Sequence, residues 1–127
     1  MQTLQIATFG DEDKDGIALG IQNFPIHRLI LICYSIDEYK AIKYSKKIES
    51  IIGIGSEIIL VEKENVVKDT IEKVNEILSR KSTEYHDILM NASSGDKLII
   101  CAALSSAFIN GIKAFTCLLY TSDAADD

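Results

Sequence analysis

The chain has 127 residues, of which 47% are apolar and 25% charged, with a formal net charge of −6. That length fits one domain with a core of its own, and the composition sets disorder aside. So acidic a chain is a poor grip for nucleic acid by itself, because that affinity comes mainly from Lys and Arg neutralising phosphates.

Leu4 to Phe9 is a short apolar run closed by Gly10 and reads as a first strand. It is too short to span a membrane, and no basic stretch precedes it as in a signal peptide. Asp11, Glu12 and Asp13 suit the first turn of a helix, whose dipole favours acids there. Ile17, Ile21 and Phe24 continue that helix, and Pro25 stops it. Arg28 to Tyr34 is a second strand, apolar enough to be covered on both faces. Ser35 and Glu38 form a capping box for a second helix with Ala41, Tyr44, Ile48, Ile51 and Ile52 on its inner face. Gly53 and Gly55 end it.

Glu57 to Glu62 is the third strand. Val67, Ile71, Val74 and Leu78 mark the inner stripe of a third helix. His86 to Asn91 is the fourth strand, and Ala92 to Lys97 is a loop of small residues. Leu98 to Ile109 is apolar or small nearly all round, which predicts a buried fourth helix; Asn110 and Gly111 close it, and Ile112 to Phe115 begin a fifth strand. Strands alternating with helices over short links predict a doubly wound, Rossmann-like α/β domain: a parallel sheet between two helix layers, in strand order 3-2-1-4-5.

The last eleven residues, Cys117 to Asp127, resemble a translated sequencing adapter. Natural sequence is then expected to cover residues 1 to 116 as one ligand-binding domain cut short at its carboxyl end, with 117 to 127 an artefact. Cys33, Cys101 and Cys117 show no CxxC spacing, and His27 and His86 stand alone near strand starts. No disulfide framework and no metal cluster follow from these, and a reducing, cytoplasmic setting fits. Asp11 to Gly16 imitates the first half of a calcium loop, but its twelfth position is Gln22 and it follows a strand; a solvated acidic helix start is the preferred reading.

The strand order reverses between strands one and four, and ligands bind outside the carboxyl ends at such a point. Two segments flank it: Thr8, Phe9, Gly10 and Asp11, and Asn91 through Lys97. Ser93, Ser94 and Gly95 sit at the mouth of the fourth helix, where free amides and the dipole favour an anion, and Lys97 adds a positive charge. Ser94 or Asp96 as a plain helix cap is the competing reading. Neither GxGxxG nor GxxxxGK[ST] is present, so no cofactor is expected.

At these two loops the chain resembles the CRISPR-associated Rossmann fold, or CARF, domains. Ile6-Ala7-Thr8-Phe9-Gly10-Asp11-Glu12-Asp13 is similar to the family's first strand and Gly-aromatic-acidic turn, with Asp11 where the aromatic residue stands. Asn91-Ala92-Ser93-Ser94-Gly95-Asp96-Lys97 resembles its Asn-x-Thr-Gly-Gly-Thr-Lys signature, with Ser94 in place of a glycine and Asp96 in place of a threonine. The nearest likeness is to the sensor domain of archaeal CARF-type transcriptional regulators. The resemblance implies a homodimer binding a cyclic oligoadenylate, typically cyclic tetra-adenylate, across its two-fold axis. It also implies a winged helix-turn-helix, beyond this chain, that contacts DNA. By matched motif, Thr8, Gly10, Asn91, Ser93, Gly95 and Lys97 would line the site, with Asp11, Ser94 and Asp96 beside them. The departures leave the ligand's identity open between this nucleotide and another. Some members cleave the cyclic ligand, which would cast Ser93 and Lys97 as positioning and charge-stabilising groups, and in-line attack by a ribose 2′-hydroxyl needs little acid–base machinery; others are the sensor of a CRISPR ribonuclease effector, and the regulator's sensor domain is the preferred reading.

Overall fold

The computed structural model describes residues 2–81 and 83–117. Five parallel strands, β1 (Thr3–Thr8), β2 (Arg28–Tyr34), β3 (Gly55–Val61), β4 (Asp87–Asn91) and β5 (Lys113–Phe115), lie in the order β3-β2-β1-β4-β5. The expected doubly wound α/β fold is therefore the observed one. Helices α1 (Asp15–Asn23) and α2 (Glu38–Ile52) cover one face, and α3 (Val66–Lys81) and α4 (Lys97–Asn110) the other.

Alternation along each strand feeds two cores. Ala7, Leu29, Leu31 and Cys33 meet Ile17 of α1 with Ala41 and Ile48 of α2. Leu4, Ile6, Ile30, Ile32 and Met90 meet Val74 and Ile77 of α3 with Ile99, Ala102, Ala103 and Ala107 of α4. Small residues on α4 let it lie close to the sheet and to α3. No helix among the described residues is long and apolar enough to cross a membrane.

Several local expectations shift, each because a tertiary partner wins. Helix α1 begins at Asp15, four residues late, since Asp11 pairs with Lys14 and Asp13 is drawn across to the β4–α4 turn. The capping box of α2 does not form: a 3₁₀ turn, Ser35–Asp37, precedes the helix, and the Ser35 hydroxyl bonds the Glu62 carboxylate instead. Gly53, at φ 79°, ends α2 alone, and Gly55 opens β3. Ile51 and Ile52 lie outside the core. The buried stripe of α3 is Val66, Thr70, Val74 and Ile77; of the predicted positions Val74 lies in the core, Leu78 packs against it, Ile71 is half-buried and Val67 faces solvent.

The fourth helix departs most. It buries one face only: Ile99, Ala102, Ala103, Ser106 and Ala107 are inside. Leu98, Leu104, Phe108 and Ile109 remain exposed, Phe108 by 89%. A helix that is apolar all round gives no periodic signal of which side meets the sheet. Residues 118–127, which carry nearly all of the adapter-like tail, lie outside the described residues.

Candidate functional site

The two segments that flank the reversal of strand order meet. Strand β1 ends at Thr8, and Phe9 to Lys14 turn over the sheet edge; β4 ends at Asn91, and Ala92 to Asp96 lead into α4. The Thr8 hydroxyl donates to the Ser94 carbonyl at 2.5 Å. The Gly10 amide donates to the Ser94 hydroxyl at 2.8 Å, and the Gly95 amide donates to Asp13 Oδ1 at 2.9 Å. Glycine is required at the meeting point: a Cβ on Gly10 would lie 2.6 Å from the Gly95 Cα, where backbone cannot give way. Gly95 itself has φ 108°, outside the range L side chains favour.

The remaining small polar residues face inward. Asn91 lies beneath α1, where its Nδ2 points at Gln5 Oε1 and the Ile17 carbonyl, each at 3.5 Å. Ser93 donates to Asn91 Oδ1 at 2.5 Å and accepts from the Cys117 amide at 2.6 Å. Thr8, Asn91 and Ser94 are fully buried, and Ser93 nearly so. These four shape the turns from behind rather than presenting side chains outward.

Beside the joined turns a hollow of about 690 Å³ opens over the carboxyl ends of β1 to β4. Gly10, Asp11, Gly95 and Asp96 line it, together with Glu12 and Asp13 of the first turn. Phe9 lies among them, and Tyr34, Ile36, Asp37, Lys40 and Lys63, which sequence reasoning missed, complete the wall. They follow β2 and β3, and only the parallel stacking of strand ends brings them to the β1–β4 crevice. Lys97 is exposed at the first position of α4, and its side chain does not line the hollow. A second hollow of about 610 Å³, near His86 and Lys113, opens at the amino ends of β4 and β5, away from the reversal point. His27, at that same edge, accepts from the Thr3 amide at 2.9 Å and serves the strand pairing.

Asp96 is the N-cap of α4. Its Oδ1 accepts from the Ile99 amide at 3.0 Å and from the Tyr34 hydroxyl at 2.7 Å. Partial burial pushes this carboxyl up, but the Ile99 and Tyr34 hydrogen bonds and the charge of Lys63 hold it below the ordinary carboxylate value. Burial, and then the hydrogen bond to Asp96, push the Tyr34 phenol well above its usual range. Asp11, bonded to Lys14 at 2.9 Å and 3.7 Å from Lys40, is held low by those two cations, Lys14 first. The calcium-loop spacing gathers no cage: Asp11 and Asp13 turn to different partners, and no three His, Cys, Asp or Glu side chains among the described residues could share a metal ion.

Neither a protein-family model nor a curated protein matches the sequence. Solved structures do match in shape. Can2 from Sulfobacillus thermosulfidooxidans, in complex with cyclic tetra-adenylate, superposes with a TM-score of 0.74 at 14% identity, over 91% of this chain and 32% of that one. VC1899 from Vibrio cholerae gives 0.75 at 11% identity, over 90% of this chain and 30% of that one. Enterococcus italicus Csm6, bound to cyclic hexa-2′-fluoro-hexa-dAMP, gives 0.70 at 18% identity, over 95% of this chain and 34% of that one. The chain thus spans about a third of the length of each, and at these identities the likeness is one of fold.

Proposed function

We propose that this chain is a CARF-type sensor domain whose hollow takes a cyclic oligoadenylate. The observation that carries the reading is the hollow itself: it opens over the carboxyl ends of the strands, and one of its walls is the pair of joined turns whose residues resemble the CARF signatures. Two of the proteins that share this fold were solved with cyclic oligonucleotides bound. In this reading Gly10, Asp11, Gly95 and Asp96 contact the ligand. Thr8, Asn91, Ser93 and Ser94 hold the two turns at the spacing the ligand needs, and Lys97 stands beside them at the start of α4. The exposed apolar face of α4 docks a second copy, which places two hollows in one assembly. An output module outside this chain, such as a winged helix-turn-helix on DNA, reads the change.

Sensing is favoured over cleavage by one contact. The Ser93 hydroxyl, cast above as a positioning group for cleavage, is buried and donates to Asn91 Oδ1 instead of facing the hollow.

The test is a thermal melt of the chain with cyclic tetra-adenylate. A ligand bound to the native state alone, at about 100 times its Kd, stabilises by about 2.7 kcal/mol and raises Tm by several degrees. No shift with cyclic tetra-adenylate or cyclic hexa-adenylate at millimolar concentration overturns the reading.

A further inference from the structure

The anion seat that the helix mouth offers is already occupied by the protein's own groups. The Gly10 amide is bonded to the Ser94 hydroxyl, the Gly95 amide to Asp13 and the Ile99 amide to Asp96. A phosphate arriving at the β4–α4 turn would meet two carboxylates in its place, and like charges at contact distance repel. The cations that line the hollow stand on the other wall: Lys40 on α2, and Lys63 in the 3₁₀ turn Lys63–Asn65 after β3.

Both are available to exchange partners. The Lys40 ammonium is 3.7 Å from Asp11 with its side chain 58% exposed, and Asp11 keeps Lys14 at 2.9 Å if Lys40 leaves. The exposed Lys63 ammonium lies 5.6 Å over the ring of the buried Tyr34 and its charge also bears on Asp96, but no hydrogen bond or ion pair at contact distance holds it to either. Beside them Ile36, 89% exposed, presents an apolar side chain at the edge of the hollow. Resting on the sensor reading above, we propose that the ligand's phosphates are held by Lys40 and Lys63, with an adenine laid against Ile36, and not by the amides of the β4–α4 turn. Asp11, Glu12, Asp13, Asp37 and Asp96 share the hollow. They repel a bare phosphate but accept hydrogen bonds from ribose hydroxyls, as acidic residues do at the strand ends of dinucleotide-binding folds. The site therefore selects a ribonucleotide over inorganic phosphate.

The experiment measures the Kd of cyclic tetra-adenylate by calorimetry for the full chain, a Lys40→Ala/Lys63→Ala double variant, its Lys→Arg counterpart, and Lys97→Ala. The double alanine variant is expected to bind at least about tenfold more weakly, the arginine pair to recover most of that loss, and Lys97→Ala to lose less than the double variant. Melting without ligand checks the fold, since both lysines are exposed. If the parent chain binds and the double alanine variant binds as tightly, or Lys97→Ala loses more, the lysine placement is wrong while the sensor reading stands. If the parent chain does not bind, both fall.

Discussion

The hydroxyl of Ser94 sits against both backbone polar atoms of Gly10, 2.8 Å from its nitrogen and 2.9 Å from its oxygen. The same oxygen is 3.0 Å from Asp13 Oδ1. A hydroxyl has one proton and two lone pairs, so Ser94 accepts from the Gly10 amide while donating to one of the two acceptors. The turns after β1 and β4 are joined at this point, and a ligand that moves one must move the other.

Ser94→Ala leaves the half-buried Gly10 amide without its partner. The expected loss is about 1 kcal/mol, the net contribution of a typical intramolecular hydrogen bond. A urea melt that moves by less than a few tenths of a kcal/mol would show that the two turns are held together by other contacts.

Gly20→Ala inverts an ordinary rule. In an exposed helix interior the change stabilises by about 1 kcal/mol. Here the new methyl would lie 2.1 Å from Asn91 Nδ2 and 2.8 Å from a ring carbon of Phe115. Overpacking of this kind costs about 1–3 kcal/mol, so the variant is expected to melt lower than the parent. A rise in Tm would mean that α1 does not approach β4 so closely.

The Asp96 cap has a pH signature. Its carboxyl is held below the ordinary value in the folded chain, so its contribution is full above the unfolded pKa and fades as pH falls through the folded one. Asp96→Asn is therefore expected to lower Tm at about pH 7, with the difference from the parent narrowing as pH falls below the ordinary carboxylate range. A gap in Tm that stays constant across that range would sink the assignment. Tyr34→Phe, which removes one donor to the same carboxylate, should shrink the gap.

Phe108 is a test of assembly. Replacing it with Glu on the exposed face of α4 puts a charge on the surface assigned to a second copy, and buries nothing within the monomer. Sedimentation is expected to show a dimer for the parent and a monomer for Phe108→Glu, with circular dichroism unchanged. A parent chain that sediments as a monomer at micromolar concentration refutes the dimer.

The order of elements, the parallel sheet and the place of the crevice were legible in the sequence because they follow from short-range pattern. Apolar runs of strand length, helical spacing between them and glycine at their ends are properties of neighbours along the chain. The identity of the side chains that face the hollow is not such a property. Asp13 and Gly95 are 82 positions apart, and their bond both draws Asp13 away from the start of α1 and closes the Gly95 amide to a ligand. Lys40 and Lys63 reach the crevice only because parallel strands end on one edge, and α4 carries no periodic mark of which side it turns to the sheet. Pattern fixes which elements form; hydrogen-bond partners are settled among groups that only the packed chain brings within 3 Å of one another.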